Sequence, residues 1–175
     1  MISLFYGGSG SGKSALAEER VLELSQDHRY YLATMQVYGE EGKKKVKRHQ
    51  TMRASKQFTT VEKPRNIAGC ITDVKGTVLL ECVSNLVANE MFLPTEIVPE
   101  ETVVDRVMEG IANVARNVEN LIIVSNNIFE DDVDYSPETE GYRRALGRVN
   151  QEIAAMSDEV VEVVLGCPVY WKGTK

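Results

Sequence analysis

The chain has 175 residues, 43% of them hydrophobic, and a net charge of −6. That suffices for one domain with its own core and suggests no second, so residues 1–175 are read as a single domain. The acidic balance excludes a general nucleic-acid binder and leaves room only for a local basic patch around one anionic ligand.

The N-terminus lacks a basic segment followed by an apolar run, and no apolar stretch approaches bilayer-spanning length. The chain therefore reads as soluble and cytoplasmic, without stable membrane insertion. Cys70, Cys82 and Cys167 are odd in number, far apart and never in a CxxC pair. Neither a disulfide framework nor a zinc site is expected, and they are taken as small core residues.

Taken in chain order, apolar runs of strand length alternate with segments of helical period. Strands are predicted at ISLFYG, YYLATM, FTTVE, TVLLECV, LIIVSN and EVVEVVLG. Helices are predicted over Ser14 to Leu24, Val103 to Val118 and Tyr142 to Met156, where apolar residues recur at three and four. The Pro-containing stretches FLPTEIVPEE and FEDDVDYSPETEG read as surface loops, the second strongly acidic. Alternation of this kind predicts an α/β domain with a largely parallel sheet flanked by helices and right-handed crossovers.

The segment Gly7, Gly8, Ser9, Gly10, Ser11, Gly12, Lys13, Ser14 fits GxxxxGK[ST], directly after an apolar strand and opening a helix. Glycines let the backbone curl so that successive N–H groups face phosphate oxygens, and the helix N-terminus adds partial positive charge. Lys13 is expected at the β and γ phosphates and Ser14 on Mg²⁺. A P-loop fold of the RecA-like kind, with its site at the carboxyl ends of the strands, follows as an expectation.

The apolar run TVLLEC ends in an acid, Glu81, placed where a Walker B carboxylate would orient Mg²⁺ or polarise a hydroxyl. An acid capping the end of a strand is the other reading. The basic run KKKVKRHQTMR, Lys43 to Arg53, also reads two ways: as a solvated helix face, or as cations gathered around His49 for an anionic ligand.

GGSGSGKSALAEE, YLAT, KRHQTMR, LLECVSNLVANEMF and GRVNQEIAAMSDEVVEVVLGCPV together resemble the adenosylcobinamide kinase/adenosylcobinamide-phosphate guanylyltransferase family of cobalamin nucleotide-loop assembly. The resemblance is spread over nearly the whole chain. It implies that the histidine at His49 attacks the α-phosphorus of GTP, releasing pyrophosphate and holding GMP as a phosphoramidate. Imidazole attacks only through an unprotonated nitrogen, and attack builds negative charge on an anionic triphosphate, so cations and Mg²⁺ must absorb it. On a helix Lys45 and Arg53 would flank His49 at four residues to either side, while Lys44 and Lys47 point elsewhere. His28 is given no role.

The resemblance further implies two reactions at one P-loop. An NTP, ATP or GTP, first phosphorylates the hydroxyl of adenosylcobinamide, and GTP then donates GMP to that phosphate through the His49 intermediate, giving adenosylcobinamide-GDP. By the same carry-over Thr34, Met35 and Gln36 contact the nucleotide, Gln50, Thr51, Met52 and Arg53 continue the guanine-nucleotide site, and Glu62 contacts guanine or ribose. Gly147 and Asn150 read as helix packing and a local hydrogen bond. The family's relatives form homotrimers whose neighbouring subunits help enclose the corrinoid, and the same is expected here.

The chain departs from the family's pattern in two places. Gly10 stands where family P-loops often carry arginine, and NNIF, Asn126 to Phe129, stands for the usual NEVG. Two other readings stay open on the residues alone. One is another small-molecule P-loop kinase without a covalent nucleotidyl intermediate; the other is a nucleotide-dependent regulator whose acidic loop docks a protein partner.

Overall fold

The computed structural model describes residues 1–25, 28–36, 56–72, 74–131 and 133–174. The basic run Lys43 to Arg53, with His49, Gln50, Thr51, Met52 and Arg53, lies outside the described residues. In chain order the elements are β1 (Ile2–Gly7), α1 (Lys13–Leu24), β2 (Arg29–Ala33), β3 (Phe58–Glu62), β4 (Val74–Glu81), α2 (Val83–Met91), α3 (Glu100–Arg116), β5 (Val118–Asn126), α4 (Pro137–Met156), β6 (Glu159–Val164) and β7 (Cys167–Lys172).

The strands form one sheet in the order β3-β2-β4-β5-β1-β6-β7. Every neighbouring pair is parallel except β6 with β7. Central strands buried on both faces read as continuous apolar runs, as expected of a parallel sheet covered by helices on each side. The two faces separate with period two. Phe5, Leu79, Ile122, Val124 and Val161 pack with Ala17 and Val21 of α1. Leu4, Val78, Leu80, Leu121 and Ile123 pack with Leu86, Val107, Ile111, Leu146 and Val149 of α2, α3 and α4.

Helix α4 begins earlier than the apolar period indicates. The Ser136 hydroxyl accepts from the Thr139 amide, Pro137 occupies the first turn, and Glu138 and Glu140 meet the positive end of the helix. The acidic loop therefore stops at Ser136, and residues 137–141, read as loop from their Pro and Gly content, are helical. Helix α3 starts three residues before Val103, with Glu100 and Glu101 at its positive end but no side-chain cap.

Two elements escape the sequence reading. Helix α2 is only nine residues long, and its apolar density merges with the strand before it. Strand β7 is an edge strand carrying Pro168, and it folds back on β6 through Leu165 and Gly166, whose φ values are 51° and 80°. Two consecutive left-handed residues are the geometry of a two-residue hairpin turn, but leucine in the first position hides the signal that Asn-Gly would give. The strand expected over EVVEVVLG thus ends at Val164, and the turn follows. Of the cysteines, Cys82 is buried, Cys70 half-buried and Cys167 exposed on β7, so the core reading fails for Cys167. Among the described residues no helix is long and apolar enough to cross a membrane.

Candidate functional site

The carboxyl ends of β1, β4, β2 and β3 lie along one edge of the sheet, and the glycine-rich loop sits there between β1 and α1. Gly7 ends β1 against Asn126 of β5. A Cβ at Gly7 would stand 2.6 Å from the Val163 carbonyl oxygen and 2.8 Å from Ser11 Oγ, so the loop closes only around glycine. Within it the Ser11 amide donates to the Gly8 carbonyl at 3.2 Å. Gly12, at φ 93°, caps α1 without a side-chain hydrogen bond, and the first turn carries no acid. The leading N–H groups of α1 are therefore presented as an anion seat with nothing nearby on that helix to repel a phosphate.

Gly166, in the turn of the β6–β7 hairpin, donates its amide to the Ser11 carbonyl at 2.8 Å. The loop is thus braced by a segment remote in sequence, a contact that no local pattern announces.

Lys13 is buried, and its Nζ donates to the Gly8 carbonyl at 2.9 Å. Burial holds its pKa below the usual lysine value, opposed by the nearby Cys82 and Glu81. The ammonium is therefore held across the loop it would serve, already stripped of much of its water.

Ser14 and Glu81 come together directly: Ser14 Oγ donates to Glu81 Oε1 at 2.8 Å. The other carboxylate oxygen, Oε2, accepts from the Tyr31 hydroxyl at 2.8 Å. Register explains the second contact. Ala33 pairs with Glu81 and Tyr31 with Leu79, so the Tyr31 ring rises along the same face toward the end of β4. Sequence reasoning missed Tyr31 because the pairing of β2 with β4 is not visible in either strand alone.

Thr34 has its hydroxyl turned inward, donating to the Cys82 carbonyl at 2.8 Å, while its amide donates to the Glu81 carbonyl at 3.1 Å. Asn89 Nδ2 donates to both the Thr34 carbonyl (2.7 Å) and the Pro64 carbonyl (2.9 Å). Met35 and Gln36 follow, half-buried just past β2. Glu62 ends β3, exposed, and Ala33 separates it from Glu81 in the register. Two strand spacings put those acids about 10 Å apart along the rim, without contact.

Beside the loop, Asn126 Nδ2 donates to Ser84 Oγ at 2.6 Å, and that hydroxyl lies 3.1 Å from Cys82 Sγ. Burial pushes the Cys82 thiol pKa up, which makes it a packing group rather than a thiolate. Asn150 Oδ1 accepts from Ser125 Oγ at 2.6 Å; the bond joins α4 to β5 across 25 residues and is not the local one expected. Gly147 faces the Phe129 ring, which a Cβ would meet at 3.6 Å; that is ordinary contact.

Ser14 and Glu81 offer hard oxygen donors at one point of this rim. Among the described residues no group of three or more His, Cys, Asp and Glu side chains is assembled that could hold a metal. A hydroxyl and a single carboxylate suit Mg²⁺, which keeps several waters and takes its remaining ligands from phosphates.

The family model described as cobinamide kinase / cobinamide phosphate guanyltransferase matches residues 3–170. The bifunctional adenosylcobalamin biosynthesis proteins CobU of Salmonella typhimurium and Escherichia coli are each 32% identical to this chain over 181 residues, spanning 97% of it and 98% of their own lengths. Among solved structures, the flagellar accessory protein FlaH from Methanocaldococcus jannaschii is a distant likeness, with 11% identity and a TM-score of 0.48 over 98% of this chain and 77% of that one.

Proposed function

This chain belongs to the cobinamide kinase / cobinamide phosphate guanyltransferase family, and from that premise we propose that it carries out both reactions on one RecA-like P-loop domain. In the first, an NTP phosphorylates the aminopropanol hydroxyl of adenosylcobinamide. In the second, an imidazole nitrogen of His49 attacks the α-phosphorus of GTP, the bond to the β-phosphate oxygen breaks, and pyrophosphate leaves. The phosphate of adenosylcobinamide phosphate then attacks the same phosphorus, the N–P bond breaks, and adenosylcobinamide-GDP forms with His49 free again.

The observation that carries this reading is the hydrogen bond between Ser14 and Glu81. It joins two groups chosen from separate motifs as the Mg²⁺ ligands, beside a buried Lys13. Mg²⁺ held there would neutralise charge on the phosphate oxygens in either reaction. Lys13 and the amides at the start of α1 orient the phosphates, and Tyr31 fixes the Glu81 carboxylate. Nucleophilic catalysis divides guanylyl transfer into two displacements, so pyrophosphate departs before the bulky corrinoid phosphate must react. On this reading the protein is a cytoplasmic homotrimer.

Incubation with Mg²⁺ and GTP labelled at the α-phosphorus, then denaturation, tests it. Wild type retains acid-labile, alkali-stable label and His49→Ala retains none. An unlabelled wild type that still binds GTP would leave a simple phosphoryl-transferring P-loop kinase as the account.

A further inference from the structure

A second concavity opens past the end of β3, beyond Glu62 on the same rim. Its volume is about 440 Å³, and Lys63, Arg65, Asn66, Glu90 and Arg106 line it. A contiguous hollow of about 330 Å³ shares Asn66, Glu90 and Arg106. Glu90 is only 7% exposed, and its Oε1 accepts the Asn66 amide at 2.6 Å. None of the three cations is in an ion pair among the described residues.

Three cations on an acidic protein suggest an anion, but the buried carboxylate in the wall argues otherwise. An ionised phosphate would bring like charge against the buried Glu90 carboxylate, whose one hydrogen bond among the described residues is from the Asn66 amide. A primary carboxamide suits both halves of the wall, because its oxygen accepts from Arg or Lys while its NH₂ donates to a carboxylate. The hollow is thus built for a neutral group that both donates and accepts.

Its position sets it apart from the nucleotide's phosphates. Asn89 ties the turn after β2 to Pro64, so the hollow is fixed relative to the nucleotide rim. Four strand spacings separate β1 from β3, which puts it about 19 Å or more from the glycine-rich loop. That is too far for a phosphate of the bound nucleotide, and within reach of the body of a macrocycle whose reacting arm extends to the loop.

We propose that this hollow seats peripheral carboxamides of the corrinoid, with Arg65 and Arg106 donating to amide oxygens and Glu90 accepting from an amide nitrogen. The assignment rests on the proposed cobinamide reactions. It makes Lys63, Arg65, Arg106 and Glu90 specificity determinants for a corrinoid amide over its ester.

Equilibrium dialysis with adenosylcobinamide tests it without needing turnover. Arg106→Ala, at an exposed position, and the near-isosteric Glu90→Gln each weaken binding by about tenfold, the loss of one charge-assisted hydrogen bond. A corrinoid with methyl esters in place of the amides binds wild type weakly and does not distinguish Glu90→Gln from it. Inorganic phosphate at millimolar concentration does not compete. Unchanged affinity in both variants overturns the proposal, as does competition by phosphate, which would make the hollow an anion site. A wild type that retains GMP from GTP but binds no cobinamide also overturns it while leaving guanylyl transfer standing. Loss of the GMP label with amide-dependent corrinoid binding intact strikes the function and spares the hollow.

Discussion

Ser14 Oγ lies 2.8 Å from Glu81 Oε1, joining the first turn of α1 to the end of β4 across the rim of the sheet. Glu81→Gln keeps the shape and an acceptor for Tyr31 but removes the charge that a divalent cation needs. We expect kcat for both reactions to fall by about 100-fold or more, the usual scale for losing a group that stabilises transferring phosphate, with the Mg²⁺ requirement shifted to higher concentration. Initial rates across a magnesium titration, with thermal melts to show that the fold is kept, are the measurement; an unchanged magnesium dependence would remove Glu81 from the metal site.

Lys13 presents a trade between activity and stability. Burial depresses its pKa below 10.5, so between the depressed value and 10.5 the unfolded chain binds more protons than the folded one, and stability rises with pH in that window. Below it the folded state carries a desolvated ammonium near a helix N-terminus, an unfavourable place for positive charge. Lys13→Met should therefore melt a few degrees higher at neutral pH, lose the alkaline rise, and react at least about 100-fold more slowly. Melting curves from pH 7 to 10 beside steady-state rates decide it; a lower melting temperature at pH 7 contradicts the burial argument.

Tyr142 gives the opposite slope. Its hydroxyl donates to the Ser84 carbonyl at 3.2 Å, and burial, reinforced by Cys82, raises its pKa to about 12. A phenol that keeps its proton longer when folded contributes stability that is whole below pH 10 and is lost as pH rises toward 12. By pH 11 that loss is about 1 kcal/mol. Tyr142→Phe lacks it, so the difference in melting temperature between wild type and variant should shrink between pH 9 and 11. Other tyrosines are present in both chains and cancel; a constant difference would show that Tyr142 does not titrate there.

Gly7→Ala asks whether the loop can open. The new Cβ meets the Val163 carbonyl, which is backbone in β6 and cannot rotate away, and Ser11 Oγ, which can. Either β1 separates from β6 or the loop lifts, with a cost of about 1–3 kcal/mol. GTP affinity measured by calorimetry should drop at least tenfold. Wild-type affinity in a folded variant would mean that the loop tolerates the displacement.

Much of this site is visible in the amino-acid order because strand, glycine loop and helix are consecutive, so Gly7 to Ser14 carry their own context. Glu81 could be chosen because an acid at the end of an apolar run marks the carboxyl end of a strand. What stayed hidden depends on register and on distant partners. Tyr31 reaches Glu81 only because β2 pairs with β4, and Asn89 joins two turns through a single amide. The Pro and Gly of 129–141 read as loop signals, although Pro137 behind a capping serine starts a helix. Residue type places Cys167 inside, whereas the edge strand that carries it leaves it outside.

The amide of Gly166 closes on the carbonyl of Ser11, and the two lie near opposite ends of the sequence. The loop precedes α1 and its brace follows β6, so the strands β2 to β6 lie between them in the chain. A chain cut after α4 would keep the whole glycine-rich motif and the strand that supplies Glu81, yet lack the hairpin that pins the loop. Closing so long a span costs chain entropy that a local contact does not. The shape of the loop is therefore a property of the completed sheet and not of the glycine motif alone.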